Sequence, residues 1–353
     1  MSALVRCFDM AGAGDVAELD AWLRGLDLGR LKRLAVLAKT EGHHAPNDFS
    51  RDLLKLKLAQ LFTSLDLSEE CAVSMLTIGC EGVGSPKGFA FAQFDAPVAP
   101  DGPPRLALGF ARSAVAPIAE IGTPLMVDRA AATARAAMRD AGLAPQQVKL
   151  LFIKTPLLPA RHPMATPDRT LMHRGRGISA LGGGIALGEI DRSRVTDATI
   201  VTDLSLYASR VQAITGAEID RVEVIAMGNR AGAGGDLLID TTHTGDILDQ
   251  ASIKRLLKRN GCAFDDTGNL LDGERIEALL VKTMVPESGM LRGSRTTVYT
   301  SGWAPEAHIR AAASGVLGSL LGHLRFYVSA DSAHQAPAGG GVASVVLRAP
   351  AGA

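Results

Sequence analysis

Three lysines and three arginines recur along the chain in one order. LAVLAK closes on Lys39, LLFIK on Lys154 and LLVK on Lys282, each a β-rich apolar run that ends in the cation. An arginine follows each lysine in a segment with apolar residues at helical spacing. Arg51 lies in NDFSRDLLKLKLAQLF, Arg176 heads the Gly/Ala-rich GISALGGGIALGEI, and Arg310 lies in PEAHIRAAASGVLGSLLGHL. A lysine is a cation in water and a base once burial strips its proton, while an arginine presents a planar fork of donors to carbonyl or carboxylate oxygens. One such residue alone is ordinarily a solvated group at a strand end or on a helix. Three of each, with the lysines 115 and 128 residues apart, indicate a triplicated unit that gathers them.

The elements that must position these groups are bounded by two breaks, DAPVAPDGPP at 95–104 and GNRAGAGG at 228–235. They divide the 353 residues into repeats at 1–99, 104–235 and 236–353, sizes that suit small α/β units. Each repeat reads as strand, lysine, loop, arginine, helix, strand. Another helix is predicted over RAAATARAAMRDAG, capped by Asp128 and stopped by Gly142, with an Ala-rich face for packing on a sheet.

Composition excludes several classes of partner. Lys plus Arg and Asp plus Glu are both 37, and aromatic residues are 4%, so neither phosphate attraction nor base stacking is provided and no nucleic-acid partner is expected. Although 47% of residues are hydrophobic, charges, Pro or Gly interrupt every apolar stretch, and no membrane span is expected. MSALVRCFDMAGAGD carries no visible secretory signal, so a cytoplasmic location is expected. Cys7, Cys71, Cys80 and Cys262 form no CxxC pair and should be reduced thiols, with Cys80 read as a small apolar residue in a Gly-rich turn. The doublet His43 and His44 lacks a third ligand at metal spacing and reads as solvated loop residues.

Five blocks then acquire a common meaning. KTEGHHAPNDFSRD from Lys39, IKTPLL around Lys154, RGISALGGGIALGEI from Arg176, YASRVQAITGAEIDRVEVIAMGN from Tyr207 and HQAPAGGGVASVV from His334 together resemble the cyanuric acid hydrolase and barbiturase family. The resemblance covers nearly the whole chain, in the family's order and on the repeats found above. It implies three homologous α/β repeats around a pseudo-three-fold axis with one central active site, each repeat supplying a lysine, an arginine and usually a serine. Lys39, Lys154 and Lys282 match the lysines, and Arg51, Arg176 and Arg310 match the arginines. The arrangement suits a planar ring of alternating carbonyl and N–H groups, with one guanidinium for each carbonyl.

The serine positions depart from the family. Its Ser-Gly-Gly-Thr-Glu-Gly pattern falls on Thr77, Ile78, Gly79, Cys80, Glu81 and Gly82, so the hydroxyl persists as threonine. The third repeat keeps Ser329, followed by Ala330. In the second, Ser-Ser-Gly-Val-Glu falls on Ile214, Thr215, Gly216, Ala217 and Glu218, so the usual acyl-forming nucleophile is replaced by isoleucine. Thr215 next door should point to the opposite face of its strand.

The resemblance implies amide cleavage in which a deprotonated lysine takes the proton of a hydroxyl that attacks a ring carbonyl. With Ile214 inert, the expected dyads are Ser329 with Lys282, or Thr77 with Lys39. Arg51, Arg176, Arg310, Ile78, Ile214, Thr215 and Ala330 are expected to line the substrate, and the apolar members favour a substituted ring. No cofactor is required for chemistry. A structural Mg²⁺ or Ca²⁺ is implied on main-chain and amide oxygens around Ser332, Gln335, Ala336, Pro337 and Gly340; Met284 stands where an acid normally assists, and Glu287 lies close enough to substitute. A homotetramer is also implied. The expected function is a ring-opening amidohydrolase of a cyclic imide or ureide. The alternative is a family member that has lost the usual nucleophile and performs lysine acid/base chemistry on a related heterocycle, or only binds it.

Overall fold

A computed structural model describes residues 2–42, 48–95, 102–158 and 169–350. The His43–His44 doublet lies outside the described residues. In the first third, β1 (Ser2–Asp9), α1 (Ala17–Arg24), β2 (Leu31–Thr40), α2 (Ser50–Ser64), β3 (Ala72–Ile78) and β4 (Lys87–Phe94) give a sheet ordered β1-β4-β2-β3. The second third repeats this with β5 (Arg105–Arg112), α3 (Pro124–Ala141), β6 (Val148–Pro156), α4 (Arg169–Leu187), β7 (Val211–Gly216) and β8 (Glu223–Arg230), ordered β5-β8-β6-β7. The last third comprises β9 (Leu237–Thr244), α5 (Gln250–Arg259), β10 (Ile276–Thr283), a small hairpin of β11 (Met290–Leu291) and β12 (Ser294–Arg295), α6 (Pro305–Leu321), β13 (Phe326–Ala330) and β14 (Gly341–Arg348). Its sheet runs β9-β14-β10-β13.

The three sheets are one topology written three times. In each, the last strand enters between the first two, antiparallel to both, and the third strand runs parallel to the second. A parallel pair needs a crossover, and α2, α4 and α6 provide it. This α/β architecture agrees with the three-repeat expectation.

Alternation along the strands explains where the core sits. One face of each sheet turns into a shared centre, where Leu37 and Phe89, Phe152 and Ile225, and Leu280 and Val346 pack together. The opposite faces pack on their own helices: Leu34 and Val36 with Leu54 and Leu58, Val211 and Ala213 with Leu181, Leu279 and Val281 with Leu317. Strands buried on both faces account for the nearly continuous apolar runs read in the sequence.

Three details differ from the sequence reading. Helix α3 begins at Pro124 with Thr123 as N-cap, because proline is already set for the first helical turn and its missing N–H costs nothing there; Asp128 is inside the helix. Gly142 does end it, with a left-handed φ of 64°. Helix α4 starts at Arg169, so Arg176 lies within it, and β8 continues through Gly228 to Arg230, where a break was expected.

Strand β5 and helix α3 approach so closely that a Cβ on Gly109 would stand 2.2 Å from the Ala141 nitrogen. Gly109→Ala should therefore lower stability by about 2–3 kcal/mol through backbone displacement, measured as a reduced midpoint in urea unfolding.

Candidate active site

The lysines are inward-facing residues near the ends of β2, β6 and β10. Strand register places Lys39 beside Thr77, Lys154 beside Ile214 and Lys282 beside Ser329, so each predicted lysine lies next to the hydroxyl position, or its replacement, on the parallel strand.

Only the third pair makes direct contact. Lys282 Nζ and Ser329 Oγ are 2.9 Å apart, with Lys282 fully buried and Ser329 nearly so. Burial is the main cause that drives Lys282 well below its ordinary value, and Arg176, Lys39 and Arg310 push the same way against the opposing charge of Asp331. That shift makes Lys282 shed its proton more readily than an ordinary lysine, the property needed of a base that takes the serine proton.

Lys39 is arranged differently. Its ammonium nitrogen contacts the Ile78 carbonyl at 3.2 Å and lies 5.3 Å from the centre of the Tyr327 ring. Burial, aided by Arg310, lowers its pKa to about 7. Thr77 does not contact it. The Thr77 hydroxyl is instead paired with the Tyr327 hydroxyl at 2.9 Å.

The second repeat is closed off. Lys154 Nζ donates to the Leu76 carbonyl at 2.7 Å and to Glu218, whose carboxylate also lies 2.9 Å from Arg51 Nε. Burial pushes Lys154 below its ordinary value and Glu218 opposes the shift. Burial likewise pushes Glu218 upward, but Lys154 and Arg51 outweigh it and hold the carboxylate below its usual range. Ile214 packs in the central core, and Thr215 donates to the Thr155 carbonyl beneath Gly175 of α4, on the side away from Lys154. Ala330 similarly belongs to the helix-side core of the third repeat.

The arginines form a cyclic set. Arg51 of the first repeat pairs with Glu218 of the second; Arg176 of the second donates to Asp331 of the third at 3.0 Å; Arg310 of the third grips Glu81 of the first through Nε, at 2.6 Å, and Nη2. Gly79 admits this last contact. Its φ of 101° suits glycine, and a Cβ there would meet the Arg310 guanidinium at about 2.5 Å. The sequence reading had assigned the arginines to ligand and missed their acids. Glu81 and Glu218 were visible four residues after Thr77 and Ile214, but Asp331 breaks the interval by standing two after Ser329.

Asp331 takes a left-handed φ of 70° and also contacts His173 Nδ1 at 3.0 Å. Burial would raise its pKa, yet His173 and Arg176 hold it well below the usual carboxylate range. Neither His173 nor Tyr327 carried a readable signal in the sequence. Cys80 is a poor nucleophile, since burial pushes its thiol to about 11.

The loop implied for a divalent cation closes on itself. Ser332 Oγ donates to the Gly340 carbonyl, the Gly340 N–H to the Pro337 carbonyl, and the Gln335 amide accepts from Ala213 while donating to the Asp331 carbonyl. His334 joins it to the second repeat by accepting from the Val201 N–H at 2.8 Å. Ala336 and Met284 are buried apolar residues, and the Glu287 side chain is 74% exposed. Among the described residues no three His, Cys, Asp or Glu side chains group to hold a metal. The residues named for the cation are thus held in a hydrogen-bonded turn, and any ion there would rest on main-chain and amide oxygens.

A family model described as an amidohydrolase ring-opening protein matches residues 4–348, and the chain belongs to this family. Its relatives include a cyclic amide hydrolase of Azorhizobium caulinodans, 32% identical over 96% of this chain and 98% of that protein. A cyanuric acid amidohydrolase of Methylobacterium sp. is 34% identical over 96% and 95%. A solved cyanuric acid hydrolase, described as an evolutionary innovation by structural concatenation, superposes with a TM-score of 0.88 at 30% identity over 99% of both chains. One from A. caulinodans gives 0.87 at 30% identity with the same coverage. Among the described residues no helix is long and apolar enough to cross a membrane.

Glu218→Gln leaves Lys154 and Arg51 without their shared carboxylate and should destabilise by about 3–5 kcal/mol in denaturant titration. Lys39 titrates near 7 when folded and near 10.5 when unfolded, so the unfolded chain holds the extra proton between those values and wild-type stability rises with pH across that window. Lys39→Met should remove this slope. Its stability gain over wild type should be greatest below pH 7 and fade toward pH 10.5, as read from urea midpoints at several pH values.

Proposed function

We propose that this chain hydrolyses a C–N bond of a cyclic amide, opening the ring, with Ser329 as nucleophile and Lys282 as its base. The supporting observation is the 2.9 Å contact between a buried lysine amine and a serine hydroxyl. Neutral Lys282 takes the hydroxyl proton while Ser329 Oγ attacks a ring carbonyl carbon. The N–H groups of Arg176 and Arg310 that are not committed to Asp331 and Glu81 stabilise the oxyanion. Protonated Lys282 then gives its proton to the departing ring nitrogen as the C–N bond breaks. Water, deprotonated by the same amine, releases the acyl group and restores the serine. No cofactor enters this sequence.

The substrate is a small cyclic imide or ureide of the cyanuric acid or barbiturate type. Ring loss should be followed by absorbance with cyanuric acid, barbituric acid and substituted cyclic imides. Ser329→Ala should lower turnover by several powers of ten while ligand binding persists, and Thr77→Ala should cost less because its hydroxyl is committed to Tyr327. Near-normal turnover of Ser329→Ala, with loss in Lys154→Ala, would move the chemistry to the second repeat. That outcome would favour lysine acid/base catalysis, the reading suggested by Ile214 beside Lys154.

A further inference from the structure

The seams between repeats are built from equivalent parts but enclose different volumes. Where the third repeat meets the first, α6, β13 and the loop after β3 surround a cavity of only about 20 Å³. Where the first meets the second, α2, β3 and the loop after β7 surround about 710 Å³, within the usual range for small-molecule sites. The strand register identifies one cause. Phe326 stands three residues before Ser329 and lines the small cavity, whereas Ser74 stands three before Thr77 and lines the large one.

The larger cleft has a definite chemistry. Phe62, Val115, Ile118 and Ile121 supply an apolar wall. Its cations are already used. Arg112 binds Glu223 Oε1 at 3.2 Å and the Ala72 carbonyl at 2.9 Å, Arg221 binds Asp220 at 2.7 Å, and Lys55 donates to the Glu218 carbonyl. An acceptor remains: Glu223 is 8% exposed, and its buried Oε2 has no hydrogen-bond partner. A buried carboxylate oxygen left without a donor is costly, and a ligand N–H supplies one. Lys39, Lys282 and Ser329 do not line this cleft.

We propose that the cleft between the first and second repeats is a second ligand site, taking a small organic cation whose ammonium or amidinium group binds Glu223 and whose apolar body lies against Phe62 and Ile121. An anion is disfavoured because it would face the unpartnered Glu223 Oε2, while the cleft's cations already have acceptors.

Isothermal titration of the full chain with benzamidine tests this, with benzoate and benzyl alcohol as anionic and neutral counterparts of similar size. Benzamidine should bind and the other two should bind at least tenfold more weakly. Glu223→Gln keeps the shape but removes the charge and should weaken benzamidine about tenfold or more. Ser74→Phe restores the filling residue of the small cavity and should abolish binding. Ser329→Ala should bind benzamidine like wild type, which separates this site from the proposed catalytic one. Failure of benzamidine to bind wild type at millimolar concentration would overturn the proposal, as would equal affinity for wild type, Glu223→Gln and Ser74→Phe.

Discussion

The inter-repeat pairing of arginine with carboxylate is the constraint on which the centre of this molecule depends. Each guanidinium comes from a crossover helix of one repeat and meets an acid beyond the third strand of the next, so the three pairs run head to tail around the ring. Two consequences follow together. The seams are joined by ion pairs, of which Arg310 with Glu81 has the two-pronged fork geometry that lysine could not reproduce. The guanidinium charge is also brought beside the buried amines of Lys39 and Lys282, where it reinforces the effect of burial in lowering their pKa values. Closure of the fold and basicity of the site therefore share one set of residues.

Within that ring the three repeats have taken different roles. The third retains a lysine and a serine in contact. The first has its hydroxyl committed to Tyr327, and the second has its lysine committed to Glu218 opposite an isoleucine. The threonine after each lysine shows the same divergence. Thr155 is bonded to the Gly175 carbonyl and Ser179, whereas the hydroxyls of Thr40 and Thr283 are buried without a hydrogen-bond partner. An intact topology has thus tolerated separate local chemistries because each lysine environment is completed by a different neighbour.

Much of this was legible in the sequence because strands buried on both faces leave long apolar runs, and a lysine that ends such a run three times is hard to produce by chance. The positions of Thr77, Ile214 and Ser329 came from the family resemblance, and strand register places each of them beside its lysine. What was not legible depends on contacts between repeats. No local pattern tells Arg310 to seek Glu81 more than 200 residues away, or Tyr327 to claim Thr77. Asp331 was hidden for a further reason, since a left-handed backbone position ordinarily suggests glycine rather than a charged partner.

Tyr327 also bears on how many ways a ring can be held. The matching positions, two residues before Thr77 and Ile214, are Met75 and Gln212, so the phenol occurs once around the axis. Three identical walls would hold an unsymmetrical ring equally well in three poses, an orientational degeneracy worth RT ln 3, or about 0.6 kcal/mol at room temperature. A centre with one phenol and one lysine–serine contact removes that degeneracy. A three-fold symmetric ring loses nothing by this, since its own symmetry still supplies three equivalent poses, while a ring whose three sides are not alike is held by one chosen edge.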